Sequence, residues 1–143
     1  MSNIDFHDDH KPVYYLKGHK KIDWEEAIAQ TEYFEARFKE GTPFLVLIDF
    51  LQARASVSLK VNRYMGKWSK KHRQDMGDYC KATAIIFKSH LLKLIVNPIL
   101  SLMHLPNEVH IFNDKAHAER WLRERATHYG IEIASEWPAY DKL

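Results

Sequence analysis

The sequence has one cysteine, Cys80, so no disulfide can form within the chain. A disulfide-stapled extracellular scaffold is excluded, and a cytoplasmic location is the expectation. Glycine and proline are also scarce, at five each. That excludes collagen-like and linker-like chains, and it leaves few positions for backbone cradles around phosphate. No G-x-G-x-x-G, Walker-type G-x-x-x-x-G-K-[ST], G-x-S-x-G or H-E-x-x-H pattern occurs, so nucleotide-binding, serine-hydrolase and zincin templates are all unmet. No apolar run approaches the roughly 20 residues of a membrane-spanning helix. Residues 1–10 are polar and acidic, without the apolar core of a secretory leader. An integral membrane protein is not expected.

What is present is enough apolar material, 45% of 143 residues, for one domain with a real core. Residues 1–143 are read as a single domain, with 131–143 as a tail of unassigned structure. Short apolar runs alternate with longer helical patterns, which indicates α/β architecture. Residues 4–7 and 13–17 read as a hairpin with Asp8-Asp9-His10 as its turn. Asp23 opens a helix and Glu26 completes a D-x-x-E capping box. Trp24, Ala27, Ile28, Thr31, Phe34 and Phe38 recur at helical spacing, and Gly41 and Pro43 stop the helix. Residues 44–48 and 82–87 are continuous apolar runs, as strands buried on both faces require. A second helix begins at Ser56 or Ser58, and a third spans 89–104. Residues 109–112 form a last strand, followed by a helix capped by Asn113 or Asp114 and ended by Gly130. The order β-β-α-β-α-β-α-β-α predicts a mixed sheet: an N-terminal hairpin, then parallel βαβ units with flanking helices. In the tail, Ile133 and Trp137 are placed to pack, and Pro138 argues against a regular element.

The charge is distributed in blocks. Residues 1–49 hold ten acids against six bases, whereas residues 50–107 hold two acids against ten bases. On the second helix, Val57, Val61, Tyr64, Met65 and Trp68 form the apolar stripe, with His72 in line. Lys60, Arg63, Lys67, Lys70 and Lys71 fall on the other side. Such a face suits an acidic protein partner or an anionic surface; the plain alternative is that the acidic and basic blocks face each other on neighbouring elements. Nucleic acid is not expected, because Tyr64 and Trp68 lie on the core side and cannot stack on bases.

The third helix has a single polar stripe of Lys93, Asn97, Ser101 and His104. One sheet-facing apolar stripe would need only Leu92, Ile95, Val96, Ile99 and Met103. Leu91, Leu94, Leu102 and Leu105 make a second stripe, whose exposure would cost roughly 1.5–3 kcal/mol per side chain. A neighbouring helix, a second copy in a homodimer, or an apolar, lipid-like ligand can cover it. No metal site is expected: His7 and His10 flank two aspartates, but nothing completes a ligand set. No cofactor and no catalytic residue are expected. Cys80 has no neighbouring base and reads as a buried small residue. Asp49 closes a buried strand at its carboxyl end, where α/β folds hold ligands, and is the best single polar candidate for a site. Loop ordering is the competing role for it.

The element order, together with Val109-His110-Ile111-Phe112-Asn113-Asp114 running into Ala116, Ala118, Trp121 and Leu122, resembles the STAS domains, in particular the bacterial SpoIIAA-like branch. Phe44 to Asp49 is similar to that branch's third strand. The resemblance implies a non-enzymatic regulatory module that binds a protein partner. Its anti-sigma-factor antagonists carry a phosphorylatable Ser in a Ser-Gly turn after this strand. Here residues 49–56 read DFLQARAS, without Ser-Gly, so no phospho-switch is expected and Ser56 and Ser58 read as caps. The rival reading is a carrier or enzyme with a small apolar ligand in a pocket beside the third helix.

Overall fold

The computed structural model describes residues 3–55, 59–88 and 107–138. Its centre is a five-stranded sheet in the order β1-β2-β3-β4-β5, formed by Ile4–His10, Val13–Ile22, Phe44–Ala55, Cys80–Ile86 and Glu108–Phe112. β1 is antiparallel to β2, and the remaining neighbours are parallel. The helices are α1 (Trp24–Glu40), α2 (Leu59–Lys71), α3 (Arg73–Asp78) and α4 (Lys115–Tyr129). The expected third helix, and Ser56, Val57 and Ser58, lie outside the described residues.

The period-2 alternation of strands divides the core into two layers. Tyr14, Leu16, Phe44, Val46, Ile48 and Ile85 point to one face, where Phe34 and Phe38 of α1 and Trp68 of α2 close over them. Val13, Tyr15, Leu45, Leu47, Ala84 and Ile86 point to the other, where Ala118, Leu122 and Ala126 of α4 and Trp137 of the tail cover them. This is why residues 44–48 read as an unbroken apolar run. Every one of them is buried. Residues 131–138 form no helix or strand, as Pro138 implied, yet Trp137 is only 1% exposed. Arg123 donates to the Trp137 carbonyl, and its guanidinium lies over the indole, 5.4 Å from the ring centre, as a cation–π contact.

Both ends of α1 follow the sequence signals. The Glu26 carboxylate accepts the Asp23 N–H at 2.9 Å, and Gly41 adopts φ 73°, a left-handed cap. Asp114 caps α4 by accepting the His117 N–H at 2.9 Å, and Gly130 ends it at φ 68°.

Several boundaries differ from expectation. The hairpin turn is at Lys11-Pro12, and Asp8-Asp9-His10 belongs to β1, where the register shifts between His7 and His10. The two aspartates are exposed on an edge strand, where charge is tolerated and discourages edge pairing. β3 does not end at Asp49. It runs to Ala55 because β2 also continues, pairing Lys17 with Asp49 and Ile22 with Ala55. β4 starts at Cys80, two residues early, and α3 was not foreseen.

Candidate functional site

α2 contains no acidic residue and is fastened to α1 by its inward side. The Tyr64 hydroxyl is 2.6 Å from that of Thr31, and the Trp68 indole N–H donates to Glu35 at 3.3 Å. Trp68 stacks on Phe38 with ring centres 6.1 Å apart. With this side committed, Lys60, Arg63, Lys67, Lys70 and Lys71 are all exposed on the opposite side. At about 100° per residue these five fall within an arc of about 100°. The structure therefore brings them together as a single stripe. Lys60 lies over the Trp24 ring at 4.1 Å, at the stripe's amino end.

The acidic block does not neutralise this stripe. Among the described residues, none of the five cations forms an ion pair. The α1 acids nearest the core are used elsewhere. Glu26 caps its own helix, Glu35 meets His72 at 2.9 Å, and Glu40 meets Arg37 at 3.3 Å and accepts the Tyr14 hydroxyl at 3.1 Å. Burial and the Glu40 carboxylate push that Tyr14 phenol up to about 12.

Asp49 lies on the other side of the sheet, apart from the stripe. It is 5% exposed, accepting the Tyr15 hydroxyl at 2.5 Å and the Leu51 N–H at 3.0 Å. Both its oxygens are thus held inside the fold. The Cys80 thiol is fully buried between Thr83 and Asn107, and burial pushes it up to about 12, so little thiolate forms near neutrality.

Two concavities accompany the stripe. A cleft of about 390 Å³ is lined by Glu35, Phe38, Lys39, His72, Asp75 and Tyr79. In it His72 is flanked by Glu35 and, at 3.6 Å, by Asp75, and its ring lies 4.8 Å from that of Trp68. The sequence placed His72 on the helix but missed the cleft, because α3, which supplies Asp75, is too short to show a period. The second is an apolar cavity of about 80 Å³ between Phe34, Ile48, Met65, Trp68, Met76 and Ile85. An empty cavity of about 150 Å³ takes benzene, so this one is too small for a lipid-like ligand. Among the described residues there is no cluster of three or more His, Cys, Asp or Glu able to hold a metal, and no helix long and apolar enough to cross a membrane.

A family described as a domain of unknown function, DUF7793, matches residues 13–126. The chain belongs to that family. No protein of curated function matches the DUF7793 chain. Its fold is similar to the crystal structure of an uncharacterized DUF3478-family protein with a SpoIIAA-like fold from Shewanella loihica PV-4. The TM-score is 0.59 and the identity 24%, over 83% of this chain and 91% of that one. It is also similar to the anti-sigma factor antagonist SpoIIAA in its unphosphorylated form, with TM-score 0.56 and 8% identity over 84% and 97% of the two chains. The DUF7793 chain thus has the SpoIIAA-like fold that its sequence resembles.

Of the site residues named from sequence, the five cations of α2 are gathered and exposed, and Asp49 is separate and enclosed. Leu91, Leu94, Leu102 and Leu105 lie outside the described residues. The homodimer expectation built on them rests on the sequence pattern.

Proposed function

We propose that this DUF7793 domain is a binding module without covalent chemistry, and that its working surface is the cationic stripe of α2, which takes an acidic partner. The observation that carries the reading is the set of five exposed cations with no ion-pair partner among the described residues. Like charges held along one helix face repel one another, and an external anionic surface relieves that repulsion. The sealed Cys80 and the enclosed Asp49 offer no activated nucleophile, which further supports binding over catalysis. One protein of this fold is an anti-sigma factor antagonist, which favours a regulatory, partner-directed role.

The test uses fluorescein-labelled polyglutamate as the acidic probe and reads anisotropy at low and physiological salt. The wild type should bind at low salt and weaken steeply as salt rises. Lys67→Gln with Lys70→Gln and Lys71→Gln should abolish binding while circular dichroism stays unchanged. Equal binding by the triple variant, or none by the wild type, would refute the reading.

A further inference from the structure

We infer that the partner of the α2 stripe is an anionic phospholipid surface on which the helix lies flat. The inference rests on the reading of α2 as the working surface and adds the chemistry of what it meets. Four of the five cations are lysines. Lysine is depleted in protein–protein interfaces, where arginine and aromatics dominate, because its compact ammonium is strongly hydrated and resists burial. A charged bilayer attracts lysine without stripping its water. The form of the stripe agrees. It is the outward ridge of a single helix, and its five members are exposed along one arc. The aromatics nearby are occupied: Trp68 is buried, Tyr64 is bonded to Thr31, and Trp24 lies under Lys60. None of these three offers an open face on which nucleobases would stack.

A second, independent feature separates a bilayer from a purely polar acidic partner. Leu59, at the first turn of α2, is 73% exposed. By helical position it borders the same face as Arg63 and Lys70. An exposed leucine beside a row of cations can enter the headgroup boundary while the cations meet the phosphates, although the main apolar face of α2 is held by α1. A polar acidic chain gains nothing from that leucine.

The experiment is flotation of the full chain with phosphatidylcholine vesicles, with and without phosphatidylserine, beside the polyglutamate measurement. The wild type should float only with phosphatidylserine. Replacing Lys67, Lys70 and Lys71 by Gln should lower the partition coefficient on the order of 100-fold, since each cation near an anionic leaflet contributes roughly fivefold. Leu59→Ser should weaken vesicle binding severalfold and leave polyglutamate binding unchanged. These exposed substitutions leave the fold intact, which circular dichroism verifies. Stripe-dependent binding to polyglutamate without flotation overturns the lipid inference and leaves the acidic-partner reading standing. Failure with both probes overturns both. Flotation that survives the triple substitution, or is indifferent to Leu59→Ser, places the lipid contact elsewhere and overturns this inference.

Discussion

Replacing Tyr15 by Phe deletes one oxygen from the interior of the sheet and decides whether Asp49 is a structural or a functional carboxylate. Tyr15 is 1% exposed and Asp49 5%, and their oxygens are 2.5 Å apart. With the hydroxyl gone, Asp49 keeps its bond from the Leu51 N–H on the other oxygen. The abandoned oxygen then faces an apolar ring with little water within reach. A hydrogen bond to a charged group contributes about 1.5–3 kcal/mol, and a buried acceptor left unsatisfied puts the loss in the upper part of that range. The ring itself stays, so the contact with Lys115, 5.0 Å above its centre, is retained. Tyr15→Phe should therefore lower the unfolding free energy by about 2–3 kcal/mol in urea titration, with the denaturant slope unchanged. Asp49→Ala should cost less in the Tyr15→Phe background than alone, giving a coupling of about 1–2 kcal/mol. A Tyr15→Phe variant within about 0.5 kcal/mol of wild type would refute the structural assignment. Asp49 would then regain its standing as the polar group of a ligand site.

Gly18 in β2 has no room for a side chain: a Cβ there would lie 2.6 Å from Cδ1 and 2.8 Å from Cε1 of Phe50. Phe50 is backed by Phe87 at 5.5 Å, so Gly18→Ala should cost about 1–3 kcal/mol and cost less in a Phe50→Leu background; a neutral Gly18→Ala in urea titration counts against this packing. The Asp114 carboxyl is held below the ordinary aspartate range by the His117 backbone N–H and then by the His117 ring. Its capping contribution is therefore full above the ordinary aspartate pKa and is lost as pH falls through the depressed value. Thermal melts on acidification should bring wild type and Asp114→Asn together, and a gap that widens as pH falls would contradict the assignment.

The legible parts of the fold were those where one residue type serves one physical purpose. Asp23 with Glu26, Gly41, Asp114 and Gly130 mark helix ends through backbone groups that must be satisfied, and the structure uses all of them. Residues 44–48 announce a two-sided burial that only a central strand experiences. The outward extensions of β2 and β3 were not legible. There Lys17 pairs with Asp49, His19 with Gln52, Lys20 with Ala53 and Lys21 with Arg54, in a stretch where polar residues interrupt the apolar alternation. Trp137 could be named as able to pack, but its near-complete burial depends on Arg123 reaching the tail across residues that show no local pattern. The basic stripe was readable from helical spacing alone. What the sequence left open was whether the acidic block would cancel it, and that depended on where Glu26, Glu35 and Glu40 found their partners.

Those partners explain why the stripe is available. Three α1 carboxylates, Glu26, Glu35 and Glu40, could have met lysines across the α1–α2 contact, yet each of the three is drawn to a different donor. A capping N–H takes Glu26, an imidazole and an indole N–H take Glu35, and a guanidinium with a phenol takes Glu40. Trp68 and Tyr64 supply the packing that fixes α2 in place, so α2 needs no lysine–carboxylate bridge to hold it. Exposed bridges contribute only about 0–1 kcal/mol each, so leaving five cations unpaired costs the fold little. The same five charges acting together on an anionic surface gain from every member at once, because one helix holds them in one arc. Stability and surface chemistry are thereby separated on α2: its aromatic side is held by the core, and its lysine side is free to meet a partner.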